Sequence, residues 1–344
     1  MLTPKRRRVI GAACALLAAA ALSLSACSSS GSGSDGSNTV NGQGNGGPKG
    51  GGKGGDSGSA SKPNKPHLKK KPVHIRLLNE DGAEYGVGMP VIAFFSGKIK
   101  DAKPLQDATS VKVNGQKMSG AWYFEQSSYY KGYPYEAHFR LQNYWPAHAR
   151  VHVDIPTKGV SAGIAHHKQL TYDDSLTLDF STGARNVSTV DDSTHMMTVT
   201  SDGKTWGTFP VSLGATDTPT ANGTKVIMEK GVSICMHGPG YNECGVKYTQ
   251  RLTYGGEYLH AAPWNCTGAP GCSGPQNNIG HADSSNGCTN LTPDDAKKLY
   301  GFLRVGDVVI YPNANGPAMS LGAGYGDWNL SWGEWQTGGL VPTT

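Results

Sequence analysis

From Pro72 onward the chain consists of short apolar or alternating runs, each a few residues long and closed by turn residues. Val73-His74-Ile75-Arg76-Leu77, Pro90-Val91-Ile92-Ala93-Phe94-Phe95, Val111-Lys112-Val113, His138-Phe139-Arg140-Leu141 and Arg150-Val151-His152-Val153-Asp154 are of this kind. Runs this short cannot build a long apolar stripe on a helix, but they suit the face of a strand. Asn114-Gly115 tolerates the positive φ of a tight hairpin and marks a turn. Strands at regular spacing predict an all-β chain. Residues 72–186 have the size of one immunoglobulin-like β-sandwich. The segment has no cysteine, so such a sandwich lacks an inter-sheet disulfide. Nothing in it looks catalytic.

A second domain is expected over residues 187–344. Residues 196–200, Asp202-Gly203 and residues 205–211 read as a hairpin. Residues 225–228, 248–252 and 307–311 read as further strands. One short helix stands out. Thr292 suits the N-cap, Pro293 the first helical position, and Asp294 and Asp295 the positive end of the helix dipole. Ala296, Leu299, Tyr300 and Leu303 give it one apolar face.

The N-terminal end has another character. Lys5-Arg6-Arg7-Arg8 precedes an apolar, Ala- and Leu-rich stretch from Val9 to Leu24. This is the pattern of a secretory signal. Leu24-Ser25-Ala26-Cys27 then resembles a bacterial lipobox. That resemblance implies removal of residues 1–26, a lipid on Cys27, and residence at the extracytoplasmic face of the cell membrane. Residues 27–71 are Gly, Ser, Asn, Lys and Pro with almost no large apolar side chains, too few to offset chain entropy. They read as a flexible tether with a root-mean-square span of roughly 35–40 Å. The formal charge of +5 falls to +1 once Lys5 to Arg8 leave. The remaining basic excess sits at Lys62, Lys65, Lys69, Lys70 and Lys71. No basic, aromatic-interleaved patch points to nucleic acid.

The cysteines point to chemistry. Of seven, Cys14 leaves with the signal and Cys27 takes lipid, so five remain in an oxidising compartment. An odd number leaves one thiol free. Cys235 with Cys244, and Cys266 with Cys272, are near in sequence and flanked by Gly and Pro, so each pair can close a short loop. Cys288 is left over. A zinc site built from these cysteines with His237 and His281 is the rival reading, but the spacings lack a repeated C-x₂-C pattern. Cys288 follows a glycine in Ser284-Ser285-Asn286-Gly287-Cys288-Thr289-Asn290, where a tight turn exposes both the sulfur and its own N–H. A histidine elsewhere in the chain, such as His260 in His260-Ala261-Ala262-Pro263-Trp264, can draw the thiol proton. A cysteine and a histidine in these roles carry out acyl transfer through a thioester.

Several ordered motifs of the second domain resemble the L,D-transpeptidases, whose catalytic domain is called YkuD-type. They are Phe209-Pro210-Val211-Ser212-Leu213-Gly214, Thr218-Pro219-Thr220-Ala221-Asn222-Gly223-Thr224, the His260 to Trp264 run, Gly280-His281, Ser285 to Asn290, and Gly326-Asp327-Trp328-Asn329. Gly88-Met89-Pro90 and Tyr144-Trp145-Pro146-Ala147 resemble the immunoglobulin-like domain that precedes it in actinobacterial members. The resemblance implies a YkuD-type β-sandwich behind the immunoglobulin-like one. It also implies an enzyme that cleaves a peptidoglycan tetrapeptide stem after its diamino acid, holds the acyl group on cysteine, and passes it to the amine of another stem.

Carried over, Cys288 is the nucleophile and His260 the base. The backbone N–H groups of Gly287 and Cys288 form the oxyanion hole, and the Ala261 carbonyl orients the imidazole. Tyr254 and residues 231–247 line and cover the pocket, with His281, Ser285, Asn286 and Asn290 in support. The partners implied are stem peptides and, through Cys27, the membrane. No cofactor or metal is expected, and the chain is expected to be a monomer. A carbapenem, with its strained lactam carbonyl, is expected to acylate the same thiol.

Two features depart from the family pattern. Asn286 stands where the family usually has histidine, and it does not titrate. The stretch between His260 and Ser285 is longer than usual, with Cys266 and Cys272 inside it. An L,D-carboxypeptidase of the same fold and a catalytically inactive wall-binding protein are the alternatives. Trp264, Trp328, Trp332 and Trp335 are expected to pack rather than to form a glycan platform.

Overall fold

The computed structural model describes residues 68–127, 129–238 and 241–344. The signal, Cys27 and the tether up to residue 67 lie outside the described residues. In the first sandwich, one sheet runs in the order Ile75–Leu77, Val91–Phe95, Tyr135–Leu141, Gly120–Gln126. The other runs Glu84–Tyr85, Leu176–Thr182, Arg150–Ile155, Ser110–Val113, Gln116–Met118. Val91, Phe95, Trp122 and Phe139 of the first sheet share a core with Val111, Val153 and Phe180 of the second. All five residues of Val91–Phe95 are buried, so this strand does not alternate. The Phe94 ring, on the other face, is covered by Tyr129 and Tyr130. Asn114 and Gly115 both take positive φ, 50° and 83°, between strands Ser110–Val113 and Gln116–Met118.

Lys69 to Lys71 do not belong to a tether. They form most of strand Lys69–Val73, which pairs in parallel with Lys168–Tyr172. Their side chains stay exposed and only their backbone is bonded, so composition carried no sign of the strand. A short helix, Lys103–Ala108, also enters this unit, with a proline in its first turn.

The second unit repeats the sandwich with other topology. Lys204–Pro210, Met196–Ser201, Asn186–Asp191, Val308–Tyr311 and Gly223–Val226 make one sheet in that order. Glu229–Gly238, Tyr241–Arg251, Tyr258–Ala261 and Thr289–Leu291 make the other. Val190, Val199, Leu213 and Val309 meet Leu259, Leu291 and Leu299 in one core. The helix Pro293–Phe302 is capped by the Thr292 side chain, which accepts from the Asp295 N–H at 3.2 Å. It buries Ala296 and Leu299, with Leu303 just beyond its end. Tyr300 is only half-buried, and the Lys230 ammonium lies over its ring.

The two sandwiches are joined tightly. Gly86 and Gly88 donate to the carbonyls of Val305 and Gly306, and a Cβ on Gly86 would stand 2.1 Å from the Asp307 nitrogen. After the last strand the chain returns across the first sandwich. Asp327 meets His138 Nδ1 at 2.6 Å. The Arg140 guanidinium lies 4.4 Å from the Trp335 ring and 4.7 Å from the Trp328 ring. Trp335 donates to the Ala121 carbonyl, and Phe124 exchanges backbone bonds with Gly338 and Leu340. Ser331 and Glu334 form a reciprocal capping box on the helix Trp332–Trp335. Trp328 and Trp335 thus pack between the units, as their residue type suggested.

Candidate active site

Strands Tyr258–Ala261 and Thr289–Leu291 run parallel, with Leu259 opposite Thr289 and His260 opposite Asn290. The same register, one step back, sets Tyr258 beside Cys288. Because strand side chains alternate, Leu259 and Leu291 enter the core while His260, Cys288 and Asn290 face a cavity of about 170 Å³. Its walls include Met236, Tyr241, Glu243 and Val246 from the long hairpin, Trp264 and Asn265 from the turn after His260, and Ser284 to Asn286. Cys235 and Cys244 stand opposite each other across that hairpin and are disulfide-bonded. Cys266 and Cys272 are bonded as well, beside the cavity wall. Their four sulfurs are therefore not available as thiolate ligands, which removes the zinc reading. Cys288 is a free thiol.

The turn into Cys288 is fastened by side-chain hydroxyls, and Thr220 Oγ1 donates to the Gly287 carbonyl at 3.0 Å. Ser285 Oγ accepts from the Gly287 N–H at 3.1 Å and donates to the Cys288 carbonyl at 2.6 Å. Gly287 adopts φ +98°, a conformation that favours glycine. Asn286 is exposed at the cavity edge, and Asn290 is buried in its wall.

His260 Nδ1 lies 2.9 Å from the Ala261 carbonyl. A carbonyl only accepts, so Nδ1 carries the proton and Nε2 keeps its lone pair. Burial without a charged partner depresses the imidazole to about 4, with the Ala261 bond opposing in part. Burial likewise pushes the Cys288 thiol up to about 12; the Tyr258 backbone bond and Lys225 lower it, and Glu257 raises it. The resting pair is therefore neutral imidazole and neutral thiol. The thiol donates to the Gly256 carbonyl at 3.5 Å.

Three positions differ from expectation. Tyr254 does not line the cavity. Its backbone N–H bonds to Ala323, and its ring lies near Tyr129 of the first sandwich. The turn through Gly256, at φ +102°, brings the Gly256 carbonyl to the sulfur while Tyr254 packs into the seam between the units. Tyr241, inside residues 231–247, is the tyrosine on the cavity wall. His281 is exposed and outside the cavity, because residues 278–282 form a turn closed on Asn278. The Gly287 N–H is already donated to Ser285 Oγ, so it does not point at an oxyanion in this state.

Two residues at this site were not singled out from the sequence. Lys225 has no exposed surface, and its Nζ stands 2.5 Å from Glu257 Oε2. The only sign was a lysine at the head of the apolar run Val226-Ile227-Met228.

Residues 185–310 match the L,D-transpeptidase catalytic domain family, and residues 59–161 match a bacterial Ig domain. L,D-transpeptidase 2 of Mycobacterium tuberculosis is 28% identical over 279 residues, covering 78% of this chain and 63% of the relative. L,D-transpeptidase 5 of the same species is 28% identical over 271 residues, covering 76% of this chain and 55% of the relative. This chain thus spans less than two thirds of the length of either. Among solved structures, the LD transpeptidase LdtMt1 in complex with imipenem aligns with TM-score 0.53 at 26% identity, over 69% of this chain and 97% of that one. L,D-transpeptidase 3 from Mycobacterium tuberculosis, in complex with a faropenem-derived adduct, aligns with TM-score 0.51 at 25% identity, over 69% and 97%.

Proposed function

Residues 185–310 form an L,D-transpeptidase catalytic domain behind a bacterial Ig domain, so the chain belongs to the L,D-transpeptidase family, and from that membership we propose that it exchanges peptide bonds between peptidoglycan stems through a thioester on Cys288. The observation that carries the reading is the pairing of the free Cys288 thiol and the His260 imidazole in one cavity, with Nδ1 tied to Ala261 and Nε2 left as the base. In this reaction the Cys288 sulfur attacks the carbonyl of the stem's diamino acid. His260 Nε2 takes the thiol proton as the carbon–sulfur bond forms and returns it to the leaving amine. A preformed thiolate is not required, because both groups start neutral. The Cys288 N–H faces the developing oxyanion, and Ser285 holds the turn that aims it. The amine of a second stem then attacks the thioester, His260 accepts its proton, and the thiol is restored.

Substrate enters beneath the disulfide-braced hairpin, where Tyr241 and Met236 line the cavity with Cys288. The chain works at the outer face of the membrane, anchored through a lipid on Cys27 and lifted by the Gly-rich tether; the basic start and the Leu24 to Cys27 motif support this. The relatives caught with imipenem and with a faropenem-derived adduct make a carbapenem the direct probe. Incubation should add one carbapenem mass to the wild-type chain and none to Cys288→Ala. A folded wild-type chain that takes up no adduct contradicts the assignment of the nucleophile.

A further inference from the structure

The Cys288 sulfur lies against the segment that carries Glu257. It donates to the Gly256 carbonyl, and the parallel register sets Tyr258 beside Cys288, where its backbone favours the thiolate. Between these two, the Glu257 side chain turns inward. Its Oε1 accepts from the Ala221 N–H at 2.8 Å, and its Oε2 meets Lys225 Nζ. The Lys225 ammonium also lies 4.0 Å from the centre of the Tyr311 ring. The Tyr311 hydroxyl is 2.7 Å from Thr289 Oγ1, on the residue after the nucleophile. Glu257 Cγ lies 3.7 Å from where a Cβ on Gly287 would stand. The ion pair therefore sits under the whole turn from Gly287 to Thr289.

A buried ion pair adds little net stability over an apolar pair of the same shape. Its position against the nucleophile calls for another account. We propose that Lys225 and Glu257 are positioning residues for Cys288: their buried pair fixes the segment that lies against the sulfur and holds a balanced charge beneath it. This rests on Cys288 being the nucleophile, as proposed above. The balance has a direct electrostatic consequence. Glu257 disfavours the thiolate and Lys225 favours it, so removing one partner unmasks the other. The other ionisable groups turned toward Cys288 are His260, Tyr241, Tyr258 and Tyr311. His260 is depressed, and burial raises all three tyrosines above their usual range, so none of the four titrates between pH 6 and 9. Glu243 lines the cavity in every variant and cancels in the comparison.

The test is the pH profile of Cys288 alkylation by iodoacetamide in the full chain, for wild type, Lys225→Met, Glu257→Gln and the double variant, each checked for folding by circular dichroism. Because the thiol is pushed up to about 12, pH 6–9 is the rising limb of its profile, where Lys225→Met should slow alkylation about 10-fold or more at each pH and Glu257→Gln should speed it. The double variant, which buries no charge, should return near the wild-type profile yet acylate with a carbapenem at least about 10-fold more slowly, because the segment against the sulfur is loosened. Shifts of the same sign in both single variants, or profiles unchanged in both, overturn the proposal. If the single variants do not fold, a folded double variant that acylates at the wild-type rate overturns it. Failure of the wild type to acylate at all would count against the transpeptidase reading alone, since the alkylation profiles still report on the pair.

Discussion

Asp327→Asn should destabilise the chain in a way that fades as pH rises. His138 is 2% exposed and Asp327 is 1% exposed, with 2.6 Å between Nδ1 and Oδ1. Burial opposes charge on the imidazole, yet the Asp327 charge and hydrogen bond, helped by Glu136 and Glu125, raise it from 6.5 to about 9. A raised folded value means that the stabilisation is fully present below pH 6.5 and is lost as pH rises through about 9. The difference of 2.5 units corresponds to about 3 kcal/mol. The amide keeps the shape of the carboxylate but not its charge, so the substitution should cost about 3 kcal/mol at pH 6 and under about 1 kcal/mol at pH 9.5. Urea unfolding at the two pH values, followed by tryptophan fluorescence, measures the difference. A cost that is the same at both, or larger at pH 9.5, refutes the reasoning.

His260→Ala should slow carbapenem acylation by about 10²–10⁴-fold, whereas His281→Ala, on an exposed turn, should leave it near wild type. Asn286→His should retain activity and Asn286→Ala should fall between, which stopped-flow acylation of the four variants checks. Because His260 is depressed to about 4, the wild-type acylation rate should not halve near pH 6.5, and its acid limb should appear only below about pH 5; a midpoint near 6.5 would mean a solvated base. Peptide mapping after alkylation without reductant should recover Cys235–Cys244 and Cys266–Cys272 as disulfides and Cys288 as the alkylated thiol.

What could be read from the sequence was what local rules govern. The Asn114-Gly115 hairpin needs only two residues tolerant of positive φ, and the helix behind Thr292 is announced by its cap, its proline and its acidic first turn. The Cys288 turn was visible because a glycine before a cysteine between polar residues is a poor core sequence. The family motifs then gave His260 and the Ala261 carbonyl their places. What escaped the sequence depends on contacts far along the chain. Tyr254 packs in the seam because Tyr129, more than a hundred residues earlier, lies beside it there. The Lys225–Glu257 pair joins a residue inside strand Gly223–Val226 to the one just before strand Tyr258–Ala261, 32 residues apart, and nothing in either local sequence names the other. In the strand at Lys69 the lysines are held by backbone bonds alone and only Val73 enters the core, so those lysines looked like a solvated run. The capping box at Ser331 and Glu334 was legible in principle, since the S-x-x-E spacing stands in the sequence.

Transfer through Cys288 is tested by mass analysis of purified disaccharide-tetrapeptides after incubation with wild-type chain and with Cys288→Ala. The wild-type reaction should yield a crosslinked dimer, with loss of one terminal residue from the donor stem, and Cys288→Ala should leave the stems unchanged. Tripeptide without dimer would mean that water, and not a second stem, receives the acyl group. Dimer formed equally well by Cys288→Ala would mean that no thioester on Cys288 lies on the path.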